Sequence, residues 1–213
     1  EWLKRFIQIG TSEMYGSVAH PSKEDEPIKP TSPYAASKVA FDMHLMSIYK
    51  FLKFPMNIIR PSNAYCPGQL LHRVIPKAII CGLNGDKLPL QGGGKSEKSY
   101  IHARDLGRAI YLVSKNAPLG EVYNAGPLNP TSIKDVVQYC ADALKMSFED
   151  LCELAPDRLG QDSRYWLDSS KIKNDVGWEP EIDWEEGLKG MVDWGQKYKE
   201  ELAEWPKDYT LRA

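Results

Sequence analysis

The chain has 213 residues, 42% of them hydrophobic and 26% charged, which is the composition of an ordinary soluble globular protein. Lys and Arg total 27 against 29 Asp and Glu, a formal net charge of -2 with no block of like sign, which argues against a nucleic-acid footprint or a basic membrane-binding face. Four cysteines, Cys66, Cys81, Cys140 and Cys152, show no C-x-x-C pairing and no His at ligand spacing, so neither a zinc site nor a disulfide framework is expected.

The chain opens on Glu1-Trp2-Leu3-Lys4-Arg5 without an initiator Met, and reads as the middle of a longer protein. There is no signal peptide and no apolar run of bilayer length, so a reduced, cytoplasmic protein is the expectation. Arg5 to Gly10 is a short apolar run ending at Gly, the pattern of a buried strand. Residues 19–33, rich in prolines and acids, read as a surface loop. Thr31-Ser32-Pro33 then supplies cap residues and a Pro for a first helical position. The helix it opens is expected to run to about Lys53 and, being apolar over much of its circumference, to be well buried.

Met56 to Pro61 follows as a second strand. Val74–Leu83 suits a helix, Ser99–His102 a short strand, Ala103–Asn116 a helix and Glu121–Gly126 a strand. Thr131 and Ser132 can cap a helix whose apolar residues Ile133, Val136, Val137, Cys140, Ala141 and Leu144 share one face, with Cys140 a buried thiol. A turn at 156–160, a small helix near 169–176 and an amphipathic helix from about Trp184 complete the chain. Strands alternating with helices predict an α/β fold with a parallel sheet. Residues 1–126 are expected to form a partial Rossmann-like catalytic domain. Residues 127–213, with segments from about 66–100, are expected to form a smaller mixed α/β substrate-binding lobe.

Two polar groups stand out. Tyr34-Ala35-Ala36-Ser37-Lys38 puts a phenol and an ammonium four residues apart on one helix face. A neighbouring cation stabilises phenolate and makes such a Tyr a usable base, although Tyr and Lys at this spacing are common by chance. Thr11-Ser12-Glu13-Met14-Tyr15-Gly16 lies at the C-terminal end of the first strand, where parallel sheets bind ligands. Taken alone, it could equally be a capped turn with a solvated Glu13.

The ordered series of that loop, the capped Tyr-x-x-x-Lys helix and the strand ending in Arg60-Pro61-Ser62-Asn63 resembles the extended short-chain dehydrogenase/reductases. Within them it is most similar to the nucleotide-sugar 4,6-dehydratases of the NAD-dependent epimerase/dehydratase family. Arg60-Pro61-Ser62-Asn63-Ala64-Tyr65-Cys66-Pro67-Gly68-Gln69 resembles that family's R-x-S-N-x-Y-G-P-x-Q segment, with Cys66 where Gly is usual. Gly92 to Asp105 resembles G-D-G-x-x-x-R-D-x-x-x-V-x-D, with Lys98 replacing Arg. Asp157 to Tyr165 resembles D-R-P-G-H-D-x-R-Y. The family's Gly-rich dinucleotide turn has no counterpart in these 213 residues, so the chain is expected to be truncated at its N-terminus and to bind NAD weakly by itself.

The resemblance implies NAD as cofactor, a nucleotide-diphosphate sugar as ligand, no metal, and a homodimer in the complete protein. It implies catalytic roles for Thr11, Ser12, Glu13, Tyr34 and Lys38, cofactor contacts from Tyr34, Lys38 and Pro61, and substrate contacts from Asn63, Arg73, Lys98, Arg158 and Arg164. For Arg158 and Arg164 the plain alternative is surface pairing with Asp157 and Asp162. Ser12-Glu13, where the dTDP-glucose enzymes carry Asp-Glu, resembles both the GDP-mannose 4,6-dehydratases and the UDP-glucuronate decarboxylases. The segment after Asn63, ending in Val74-Ile75-Pro76, is more similar to the dehydratases, so a 4,6-dehydratase is the leading expectation. A decarboxylase, an epimerase, or an inactive module that binds only the nucleotide sugar are the alternatives.

Overall fold

The computed structural model describes residues 2–156 and 162–208. In chain order the elements are β1 (Phe6–Ile9), α1 (Pro33–Leu52), β2 (Met56–Pro61), β3 (Asn63–Tyr65), α2 (Val74–Asn84) and β4 (Leu88–Gln91). Next come β5 (Glu97–Lys98), β6 (Tyr100–His102), α3 (Ala103–Asn116), β7 (Val122–Ala125), β8 (Thr131–Ser132) and α4 (Ile133–Leu144). The chain continues with α5 (Phe148–Leu151), β9 (Cys152–Ala155), β10 (Arg164–Tyr165), α6 (Ser170–Val176), α7 (Trp184–Lys197) and α8 (Lys199–Ala203). They divide into two compact units whose segments interleave, residues 162–181 returning to the first.

The first unit, built from residues up to 64, 97–130 and 162–181, contains a parallel sheet in the order β1-β2-β7. Ile9 is level with Ile59, and Ile59 with Tyr123. Every residue of β2 is buried, as a central strand covered on both faces requires. On one face Leu45 of α1 packs with Met56, Ile58 and Val122. On the other, Ile59 and Tyr123 pack with Ala109, Val113, Ile172 and Trp178 from α3, α6 and the residues that follow it. These are the two apolar layers of a doubly wound sheet.

Helix α1 departs from expectation in its burial. Ser32 caps it and Pro33 occupies the first turn, yet only Ala35, Asp42 and Leu45 are buried. Phe41, Met43, Met46, Phe51 and Leu52 are exposed. Apolar composition around a helix gives its affinity for a cover; the elements of this unit cover one stripe of it. The 19–33 loop also departs from a plain surface loop. Ser22 is fully buried, and its carbonyl accepts from Asn124 Nδ2 at 2.8 Å.

The second unit spans 65–96, 131–156 and the residues from 182. β4 pairs in parallel with β9, two short strands to which the sequence pattern gave no clear signal. Helices α2, α4 and α7 pack together. Ser132 caps α4, whose Val136, Val137, Cys140 and Ala141 are buried, on the face that the periodicity marks. Burial pushes the Cys140 thiol up to about 12. Tyr65 stacks on Trp184 at 5.3 Å between ring centroids, directly over Gly187 of α7, where a Cβ would fall 2.2 Å from the Tyr65 hydroxyl. No described helix is long and apolar enough to cross a membrane.

Gly120 opens β7 with φ +88°, donates its N–H to the Met56 carbonyl at 2.7 Å, and leaves only 2.1 Å between a Cβ and Tyr49 Cε1. Gly120→Ala should therefore cost about 1–3 kcal/mol from backbone strain alone, with the Tyr49 clash adding to it. Urea unfolding would register this as a lower midpoint with unchanged slope, and a midpoint equal to the wild type would contradict it.

Candidate active site

The C-terminal end of β1 is fixed first by backbone pairing: Gly10 N–H donates to the Ile59 carbonyl at 2.7 Å. Thr11 then leaves the strand in extended geometry and caps a single 3-10 turn, Ser12–Tyr15. Its Oγ1 accepts from Glu13 N–H at 3.3 Å, which leaves the Thr11 O–H free to act as a donor. Met14 and Tyr15 point into a small apolar cluster with Leu167, and Ser12 is 3% exposed. Glu13 is the residue of the turn that reaches partway into solvent. Capping and catalysis are thus compatible readings of the same turn.

Beneath the turn lies a buried polar network. Arg60, 1% exposed on β2, donates from Nε to Asp42 Oδ2 at 3.2 Å and from Nη1 to the Tyr15 hydroxyl at 2.8 Å. It also donates to the Glu24 carbonyl at 3.1 Å. The Tyr15 hydroxyl in turn donates to Asn124 Oδ1 at 2.9 Å, and Asn124 N–H donates to the Glu24 carboxylate at 2.7 Å. Burial raises the Tyr15 and Asp42 pKa values, while Arg60 pulls both the other way without cancelling it. Strand β2, helix α1, the turn after β1 and the strap at Ser22–Glu24 meet at this guanidinium, and Asn124 of β7 lies one hydrogen bond further on.

Helix α1 carries the phenol and the ammonium. Tyr34, in its first turn, is 54% exposed, and its hydroxyl has no hydrogen-bond partner among the described residues. Lys38, one turn on, lies half-buried and donates from Nζ to the Ile9 carbonyl at 2.5 Å. The cation therefore sits at the C-terminal end of β1, beside the turn that carries Thr11 and Glu13.

A second cluster flanks Glu13. The Asp162 carboxylate accepts from Ser17 Oγ at 2.9 Å, from Thr31 Oγ1 at 2.5 Å and from the Tyr165 hydroxyl at 2.7 Å. Burial pushes Asp162 up, but those hydrogen bonds outweigh it and hold its carboxyl below the usual range. Tyr165 is pushed well up by burial, by the hydrogen bond to Asp162 and by the charge on Glu13. The Lys98 ammonium lies 4.8 Å from the Tyr165 ring centroid.

The remaining sequence candidates are more dispersed. Pro61 ends β2, level with Ala125. Asn63 donates its N–H to the Ser99 carbonyl at 3.1 Å, near the buried hydroxyls of Ser62 and Ser99, which have no partner among the described residues. Arg164 pairs with Glu97 rather than with Asp162, because the parallel register sets Arg164 against Glu97. Arg73 is an exposed N-cap of α2 in the second unit. Arg158 lies outside the described residues. Sequence reading missed Asp42, Tyr15, Asn124 and Tyr165. Signals existed for Tyr15 and Tyr165, which lie in segments the sequence singles out, and for Asp42, a lone acid at helical spacing from Ala35, Lys38 and Leu45.

Residues 2–191 match the family model described as GDP-mannose 4,6 dehydratase. The dTDP-glucose 4,6-dehydratase of Streptomyces griseus is 34% identical over 195 residues, which are 91% of this chain and 59% of that protein. Among solved structures, the dTDP-glucose 4,6-dehydratase DesIV of Streptomyces venezuelae, solved with NAD bound, is 31% identical with a TM-score of 0.86, over 94% of this chain and 62% of that one. The UDP-glucose 4-epimerase of Thermotoga maritima superposes as well, with a TM-score of 0.87 at 26% identity, over 93% of this chain and 65% of that one. The chain thus spans about three-fifths of the length of such relatives. With most of its own length matched, it belongs to the GDP-mannose 4,6-dehydratase family within the NAD-dependent epimerase/dehydratases.

Proposed function

We propose that the protein is a nucleotide-sugar 4,6-dehydratase. The observation that carries this reading is Glu13, a carboxylate held partway in solvent between buried neighbours at the strand end where Lys38 also sits. A simple epimerase has no use for a base at that point, whereas elimination across C5 and C6 of a hexose needs one.

Lys38 stabilises the phenolate form of Tyr34, which takes the proton of the sugar 4-hydroxyl and becomes a neutral phenol. The Thr11 hydroxyl donates to the same sugar oxygen. Once C4 is a carbonyl, the C5 hydrogen is acidic, and Glu13 removes it. Ser12 is buried and a weak acid, so Glu13 passes that proton to the 6-hydroxyl, which leaves as water. The double bond between C5 and C6 then awaits a hydride at C6 and a proton at C5.

NAD, when bound, supplies the hydride acceptor and donor for these steps. The residues present fit its nicotinamide-ribose half: the Tyr34 hydroxyl is unengaged, and Lys38 holds only a backbone carbonyl it can exchange for a ribose hydroxyl. Pro61 lines the same strand end. No Gly-x-Gly-x-x-Gly turn occurs in the 213 residues, so these residues serve that half of the cofactor alone.

For the nucleotide diphosphate, the family pattern suggests Asn63 and Lys98 as contacts. Arg73, Arg158 and Arg164 complete the set that the family pattern suggests, Arg164 while held by Glu97. A homodimer belongs to the same reading, supported by the exposed Phe41, Met46, Phe51 and Leu52 of α1.

The test is a contrast between two variants in protein turning over a nucleotide-linked hexose. Glu13→Gln should leave C4 oxidation in place yet lower C5 proton exchange and 6-deoxy-4-keto product by about 10²–10⁴. Tyr34→Phe should slow the hydride step itself. Full turnover by Glu13→Gln would refute the assignment. Carbon dioxide released from a nucleotide-linked uronic acid by the wild type would replace it with a decarboxylase.

A further inference from the structure

Asp42 has no part in the chemistry above, yet it is a charged side chain with no exposure at all. Burying a carboxylate costs several kcal/mol even when it is paired, and an apolar residue would fill the stripe between Ala35 and Leu45 without that cost. Only half of its hydrogen-bonding capacity is used. Oδ2 accepts from Arg60 Nε at 3.2 Å, while Oδ1 is buried with no partner among the described residues.

The surroundings of that spare oxygen are well defined. Asp42 lies one helical turn beyond Lys38 on the same face of α1, close enough for the Lys38 charge to act on its carboxyl. A Cβ on Gly10 would lie 3.1 Å from Oδ2 and 3.4 Å from Oδ1. The Ile9 carbonyl is therefore held by the Lys38 ammonium, and the Asp42 carboxylate fills the space where a side chain on Gly10 would stand. Among the described residues, the charged groups acting on Asp42 are Arg60 from β2 and Lys38 from α1.

We propose that Asp42 is a positioning residue, whose unpartnered carboxylate oxygen is the counter-charge that keeps the Lys38 ammonium at the C-terminal end of β1. The proposal deepens the dehydratase reading and rests on it for the importance of Lys38, but its geometry stands without bound cofactor or turnover. In this arrangement Lys38 can trade the Ile9 carbonyl for a ligand hydroxyl without drifting into solvent. The charge of Asp42 restrains it, and the pairing of Asp42 with Arg60 restrains Asp42.

The decisive readout is the exchange of the Lys38 ammonium protons with water, followed by NMR on the full chain labelled with 15N at lysine Nζ. The signal is assigned by its loss in Lys38→Met. In the wild type this ammonium should exchange more slowly than that of exposed Lys50 on the same helix. Asp42→Asn should speed Lys38 exchange by about tenfold or more, as expected when one charge-assisted restraint is lost. Asp42→Glu, with its carboxylate one methylene out of place, should speed it by a smaller factor, and decides the matter if Asp42→Asn does not fold. Leu45→Ala removes packing from the same helix stripe without touching the charge, and should leave folded-state Lys38 exchange unchanged. Lys38 exchange that is as fast as Lys50 in the wild type, or unaltered in a folded Asp42 variant, would overturn the proposal, as would an equal effect from Leu45→Ala. None of these readouts needs a sugar or NAD, so failure of the dehydratase assignment would leave them standing.

Discussion

A guanidinium buried in the middle of a sheet must be answered on every side, and Arg60 decides how the first unit is arranged. Its partners are a carboxylate on α1, a phenol at the end of the Thr11–Tyr15 turn and a carbonyl of the 19–33 strap. Removing one member of such a pair typically costs about 3–5 kcal/mol, because the other charge is left buried and alone. The helix that carries Tyr34 and Lys38 and the turn that carries Thr11 and Glu13 are therefore not positioned independently. They are joined through one side chain beneath the sheet's C-terminal edge.

That linkage separates what the fold provides from what the site adds. The fold itself is shared by proteins of different activity, since a UDP-glucose 4-epimerase superposes as well as a dTDP-glucose 4,6-dehydratase does. Fold alone does not choose the chemistry. The choice lies in the turn, where the 3-10 geometry buries Ser12, Met14 and Tyr15 and leaves Glu13 facing outward. Tyr165, on which the charge of Glu13 acts, donates to an Asp162 that collects two further hydroxyls.

Much of this was legible in the sequence, and the rest was not for identifiable reasons. Continuous apolar runs ending in Gly, Pro or polar residues located β1, β2 and β7, and capping residues located the starts of α1 and α4. The Tyr-x-x-x-Lys spacing and the polar turn after β1 named five candidate residues, which the structure places at or near the C-terminal end of β1. What could not be read were long-range partners. Nothing near Arg60 in sequence announces Asp42, Tyr15 or Glu24, which lie 18 to 45 residues away. The pairing of Arg164 with Glu97, 67 residues apart, depends on strand register rather than local pattern. Burial of α1 was overestimated because helical periodicity reports which face is apolar, and the neighbours that cover it belong to tertiary structure.

The central claim is that Arg60 couples the turn after β1 to helix α1. Amide hydrogen exchange on Arg60→Lys, which keeps the charge and loses the planar fork, tests it most directly. Coupling requires the amides of Glu13–Gly16 and those of α1 around Lys38 to Asp42 to gain exchange together, by a similar factor of about ten or more, while α4 in the second unit is unchanged. A turn that loosens while α1 keeps its protection, or a helix that loosens while the turn does not, would contradict the account.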